Sequence, residues 1–211
     1  MDSSVKAQRV LDRLPEGGLF AGHQWRIAPD PFPLEKEFAR ELAQLGRILH
    51  TFYKAADLLY RHSLAGKTPR WVAEWLERGK PKSVIQLQRN EAFKTALPRV
   101  IRPDILLTVD GWHITELDSV PGGIGLTGWL NEAYLGTIGG VNGMLDGFAN
   151  IFTENGNVHL MVSEESETYR PEMEWLAHKL GPRFKVRNAD YTDFSEGDSV
   201  YRFFELFDLP N

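Results

Sequence analysis

The chain has 211 residues with a formal net charge of -5, 42% hydrophobic and 25% charged residues, and no cysteine. That size supports a real core in one large or two small units. The missing cysteines exclude disulfides, thiolate metal sites and cysteine nucleophiles, and the acidic balance gives no basic stripe for nucleic acid.

The N-terminal MDSSVKAQRVLDRL lacks the apolar run of a signal peptide, and no segment reaches membrane-spanning length. A cytoplasmic protein with neither nucleic-acid nor membrane partners is expected. The first thirty or so residues read as loop, ending in the proline cluster Pro29 to Pro33. From Leu34 to about Ser63, Phe38, Leu42, Leu45, Ile48, Phe52, Ala55 and Leu59 recur at three- and four-residue steps, which predicts a long amphipathic helix. Pro69 opens a short helix with Trp71 and Trp75 one turn apart. Such a pair could stack a base or sugar, but the area those rings bury favours the core. Further helical turns are expected between Val84 and Leu97.

The period then changes. Asp104 to Val109 and Trp112 to Asp118 read as strands of a hairpin around Asp110-Gly111. A glycine-rich turn leads into a helix over Trp129 to Leu135, followed by GTIGGVNG. Asn157 to Ser163, Thr168 to Leu180 and Phe184 to Asn188 predict a strand, a helix and a strand, hence a parallel βαβ unit. Ser199 to Phe207 would be a final strand. The expected fold class is α/β. Residues 1–135 would form a helical region with the hairpin, and residues 136–211 a Rossmann-like unit.

The stretch ITELDSVPGGIGLTG, Ile114 to Gly128, holds the candidate chemistry. Gly123, Gly125 and Gly128 spell a dinucleotide fingerprint between strand and helix. That fingerprint needs a second strand ending in an acidic residue, and Asp146, at about the right distance, lies in GGVNGMLDGFAN, which does not read as a strand. Glu116 and Asp118, two apart in a strand, share a face. A bound magnesium ion would relieve their repulsion, and an exposed strand face would do so equally well. Arg102 and Asp104 share a face by the same rule. His23, His50, His62, His113, His159 and His178 show no ligand spacing, and Ser163, Glu164, Glu165 and Glu167 follow a strand, where they could touch substrate at its carboxyl end, although a solvated loop with a helix cap is the more ordinary reading.

Taken together, Arg102-Pro103-Asp104, a hairpin, Glu116-Leu117-Asp118, then Ser119-Val120-Pro121-Gly122-Gly123 resembles the closing catalytic motif of ATP-grasp ligases, R-x-D, a hairpin, E-x-N and a T/S-x-P-G turn. Its early position, ahead of a βαβ unit, is similar to eukaryotic-type glutathione synthetase, glutathionylspermidine synthase and the circularly permuted members. The resemblance implies an ATP-dependent carboxylate–amine ligase working through an acyl phosphate. Arg102 would steady negative charge on the reacting carboxyl, and Asp104, Glu116 and Asp118 would hold Mg2+ bridging ATP phosphates. Ser119, Pro121, Gly122 and Gly123 would contact a carboxylate or peptide-like substrate. Asp118 stands where the family has asparagine, which adds a negative charge near the phosphates. The adenine-clamping domain would lie downstream or on a separate subunit, so these residues alone are expected to be inactive. The competing expectation is a non-catalytic small-molecule-binding or assembly module.

The chemistry requires Asp104 and Glu116 on one side of the hairpin. A three-residue loop with a bulge at Gly111 would achieve that, whereas a two-residue loop at Asp110-Gly111 would turn Asp104 away.

Overall fold

The structure is a computed structural model and describes residues 2–15, 26–135 and 139–204. By its internal contacts the chain divides into two compact units, residues 1–33 with 102–204 and residues 34–101. The fold is α/β.

The first unit contains a helix α1 (Ser3–Leu11), strands β1 (Arg102–Thr108) and β2 (Gly111–Asp118), helices α5 (Ile124–Ala133) and α6 (Gly143–Ala149), strand β3 (Val158–Val162), helix α7 (Arg170–Leu180), and strands β4 (Phe184–Asn188) and β5 (Ser199–Phe203). β1 and β2 form a two-stranded antiparallel ribbon, and the other three form a parallel sheet in the order β4-β3-β5. β3 is the central strand, so its apolar run is covered on both faces, and all five of its residues are buried. α7 packs on β3, and Leu160 and Val162 of the strand and Met173 and Leu176 of the helix are each 1% exposed or less. Phe148 meets Tyr201 edge-on at 5.0 Å. A second cluster joins Val10 of α1 to Trp129 and Ala133 of α5. It is tied by Trp129 Nε1 donating to the Arg13 carbonyl at 2.8 Å and Arg13 Nη1 donating to the Ala133 carbonyl at 2.7 Å.

The expected boundary at residue 135 does not divide these elements. α5, which follows the hairpin, packs on α7 of the βαβ unit so closely that Gly128 lies under the Trp175 ring. The expected loop at the N-terminus is instead partly helix, because the Asp2 carboxylate accepts from the Ser4 amide and caps α1. The expected last strand ends at Phe203, and its residues beyond Phe204, like the first part of GTIGGVNG, lie outside the described residues.

The second unit holds α2 (Lys36–Leu64), α3 (Trp71–Glu77) and α4 (Lys82–Arg89). Ser63 of α2 joins it to α3, donating to the Pro69 carbonyl at 2.8 Å and accepting from the Ala73 amide at 3.1 Å. Tyr60, 3% exposed, donates to Glu77 at 2.7 Å, and Arg89 holds both oxygens of that carboxylate. Burial, and then the hydrogen bond to Glu77 and its charge, push the Tyr60 phenol up. Trp71 and Trp75, expected in the core, are each 60% exposed, and the Arg78 guanidinium stacks over Trp75 at 4.2 Å. Val72 and Ala73 take the buried positions instead. In α2 the buried residues are Leu45, Leu49, Tyr60 and Ser63, so only part of the predicted apolar stripe faces inward.

Candidate functional site

The hairpin brings the sequence-predicted residues together by a different device from the one expected. Thr108 pairs with Gly111, so the loop is the two-residue Val109-Asp110, and this register holds up to Ile105 opposite Ile114. Thr115 then bulges out, and Asp104 lies opposite Glu116 and Arg102 opposite Asp118. The Thr115 hydroxyl secures the irregularity by donating to the Asp104 carbonyl at 3.2 Å. Directly opposed residues of an antiparallel pair share a face, so Arg102, Asp104, Glu116 and Asp118 form one four-residue block.

Arg102 is the hub of that block. Its Nε donates to Asp104 at 3.1 Å, its Nη1 to the Gly122 carbonyl at 3.1 Å, and its Nη2 pairs with Asp118 at 3.4 Å. Asp118 also accepts from the Val120 amide at 2.8 Å, an Asx turn that starts the Ser119–Gly123 loop. Glu116 and Ser119 are exposed. Arg102 and Asp104 are 44% and 45% exposed, and pairs this open contribute about 0–1 kcal/mol each. A ligand can therefore replace them at small cost.

The loop itself is held from below. Pro121 is fully buried. A methyl on Gly122 would lie 2.7 Å from the Tyr169 ring. Gly123 adopts φ 83°, a left-handed conformation that favours glycine, and forms the N-cap of α5. Its amide donates to Glu172 Oε1 at 2.8 Å. Glu172 belongs to α7, is 5% exposed and sits against the first amides of α5. Burial pushes its carboxyl up, and the amides of Gly125, Gly123, Leu126 and Ile124 pull the other way.

That carboxylate occupies the place a phosphate would take in a dinucleotide fold. Asp146 lies in α6 and not at a strand end. In place of a fingerprint role for Gly123, Gly125 and Gly128, Gly125 and Gly128 let α5 lie close against Glu172 and Trp175, and Gly123 supplies the left-handed N-cap. The Gly123 amide, expected to face substrate, is likewise taken by Glu172.

Behind Asp118 lies Tyr201 of β5, whose buried hydroxyl finds no hydrogen-bond partner among the described residues. Burial raises its phenol strongly, helped by the charges of Asp118 and Glu172. Neither Tyr201 nor Glu172 was singled out by the sequence. A glutamate on an amphipathic helix reads as solvated, and SVYRFF reads only as a strand.

For Mg2+, the donor chemistry of Asp104, Glu116 and Asp118 is suitable, since magnesium takes carboxylate oxygen and completes its shell with water and phosphate. Among the described residues, however, no three histidine, aspartate or glutamate side chains converge on one point. Asp104 and Asp118 are both paired with Arg102.

His159, Ser163 and Glu167 have other partners. His159 is a buried member of β3, 2.9 Å from Asp198 and stacked on Tyr191. His23 lies outside the described residues. Ser163 accepts from the Ser166 amide at 3.3 Å, and Glu167 pairs with Arg170 at 2.6 Å. Glu164 and Glu167 line a cleft of about 460 Å³ with Arg170, Asn188 and Asp190, at the carboxyl ends of β3 and β4 where open parallel sheets bind ligands. No described helix is long and apolar enough to cross a membrane. Comparison with protein-family models, with curated proteins and with solved structures finds no match to this chain.

Proposed function

We propose that the hairpin block and its loop are the acid-substrate and metal end of an ATP-dependent carboxylate–amine ligase. The observation that supports this most is the placement of Arg102, Asp104, Glu116 and Asp118 on one face beside the Ser119–Gly123 loop, with Arg102 reaching the loop's own carbonyl. In this reading Arg102 leaves its weak pairs to hold the substrate carboxylate, a preorganised cation where negative charge develops. Glu116, with Asp104 and Asp118 once Arg102 has turned away, would hold Mg2+. That ion would supply Lewis-acid polarisation and a template for phosphate oxygens. Ser119 would contact the substrate, and the adenine would be clamped by a partner or a further segment.

The test is a titration of the chain with Mn2+ as a paramagnetic probe, read by NMR. Signals of Glu116, Asp118 and Asp104 should broaden first, and Glu116→Gln should weaken the effect at least about tenfold. Glu116 is exposed, so this substitution should leave stability within about 0.5 kcal/mol. Broadening that ignores Glu116→Gln removes the metal from this reading. Calorimetry with ATP should find no binding as tight as about 1 μM, or -8 kcal/mol. Tighter binding would mean that these residues already contain a nucleotide clamp.

A second reading, a module that binds a small acid without chemistry, is favoured by Arg102 already balancing Asp104 and Asp118. It predicts carboxylate binding that depends on Arg102 and no response to Mn2+ at Glu116.

A further inference from the structure

Tyr201 brings a hydroxyl into a cluster of phenylalanines. Its ring meets Phe148 edge-on at 5.0 Å and Phe152 at 6.4 Å, and it stacks on Phe203 at 6.4 Å. A phenylalanine at position 201 would serve that packing equally well. The residue is 6% exposed, and its hydroxyl finds no hydrogen-bond partner among the described residues. A buried hydroxyl left unpaired destabilises the fold, so its presence needs another explanation.

The surroundings say where the hydroxyl is aimed. Phe203 meets Tyr169 at 5.2 Å, and the Tyr169 ring lies against Gly122, so the rings lead from the sheet to the Ser119–Gly123 loop. The carboxylates whose charge reaches the hydroxyl are Asp118 and Glu172, while Arg202, the next residue of β5, points to the opposite face of the sheet. Glu172 is already occupied by the first amides of α5, that of Gly123 at 2.8 Å. Asp118 is held more loosely. Its Oδ1 accepts from the Val120 amide at 2.8 Å, but its Oδ2 is paired with Arg102 Nη2 at 3.4 Å, longer than a normal hydrogen bond.

We propose that Tyr201 is a positioning residue for Asp118: when Arg102 turns to a bound carboxylate, the phenol hydroxyl donates to Asp118 Oδ2 in its place. The exchange rests on the ligase reading for the ligand that draws Arg102 away. It keeps Asp118 fixed by two donors, the Val120 amide on Oδ1 and Tyr201 on Oδ2, at the moment its cation leaves. Each carboxylate oxygen has a second lone pair, so both stay open to a metal ion. Phenylalanine could not make this bond, and a charged donor at position 201 would have to be desolvated among the aromatic rings. The neutral phenol remains a donor throughout the physiological pH range.

The test is a set of denaturant midpoints at pH 7, with Arg102→Met standing in for the departed guanidinium. In the wild-type chain Tyr201→Phe should leave the midpoint unchanged or raised, because no hydrogen bond is lost. In the Arg102→Met background the same change should shift the unfolding equilibrium about tenfold toward the unfolded state, the scale of a hydrogen bond to a charged group. Adding Asp118→Ala should abolish that shift. A hydroxyl with a fixed structural partner would instead cost the same in every background. A second readout needs no unfolding. With tyrosine 13C-labelled at Cζ, the Tyr201 signal, assigned by its absence from Tyr201→Phe, should move downfield in Arg102→Met and return when Asp118→Ala is added. Equal costs in all backgrounds, no cost in any, or a shift that survives Asp118→Ala overturns the proposal. Neither measurement uses metal or nucleotide, so its failure is distinct from failure of the ligase reading, which the Mn2+ titration decides at Glu116.

Discussion

Gly125→Ala should destabilise the first unit by about 2 kcal/mol, lowering its melting temperature by about 4–8 °C. Gly125 is the second residue of α5, and a methyl group there would lie 2.5 Å from Glu172 Cγ and 2.6 Å from the Glu172 carbonyl oxygen. The second contact is the costly one. A side-chain tip can rotate away, but a carbonyl in α7 moves only if the helix moves. Alanine in a helix would otherwise gain about 1 kcal/mol over glycine, so overpacking must exceed that before any loss appears. Gly147→Ala is the control. Gly147 lies inside α6, and a methyl there would meet nothing within 4 Å. The same chemical change should therefore stabilise by up to about 1 kcal/mol. If thermal unfolding shows both substitutions moving the transition in the same direction, the close packing of α5 on α7 is not what positions the Pro121–Gly123 loop.

That packing shows where the sequence was readable and where it was not. The mostly apolar run of β3 and the periodic segments around it announce a parallel βαβ unit, because a strand covered on both faces is built chiefly of apolar residues, the buried His159 being held by Asp198. The length of α2 is readable for the same reason, through a period sustained from Phe38 to Leu59. The period does not say which part of the stripe another element covers. Ile48, Phe52 and Leu59 carry the same signal as Leu45 and remain exposed. Trp71 and Trp75 misled similarly, since ring size argues for burial only when a neighbour is there to supply it.

In the candidate site, the four residues of the block were readable because strand alternation and the motif both placed them on one face. The bulge at Thr115 was not, since the register could be restored by any one extra residue and the turn glycine was the more obvious choice. Glu172 was unreadable for a deeper reason. Its role arises only when α7 meets the first turn of α5, a contact between residues 49 positions apart, and nothing local marks it. The glycines that looked like a phosphate cradle are a cradle, but for a carboxylate of the same chain.

Glu172 and Asp198 should give opposite pH dependences of stability. Burial pushes the Glu172 carboxyl above its ordinary value, so in the window between that value and the raised one the folded state holds more protons than the unfolded chain. Stability from this group is therefore full below the ordinary carboxylate range, near pH 4, and is lost as pH rises through the raised value. Asp198 behaves the other way. The amides of Ser195 and Asn157, then His159, hold its carboxyl far below the ordinary range. Its contribution is present above pH 4 and disappears as the solution is acidified. Glu172→Gln keeps the side chain's shape and an oxygen for the Gly123 amide while removing the charge. Relative to wild type it should gain stability between pH 4 and neutrality. Asp198→Asn should lose stability over that whole interval and converge on wild type only in stronger acid. Denaturant midpoints measured from about pH 2.5 to 7 separate the two. A Glu172→Gln difference that is flat or falls with rising pH would mean that the α5 amides outweigh burial. Glu172 would then act as a charged cap holding the loop under Arg102, and not as a carboxyl that the fold keeps partly at the expense of its stability.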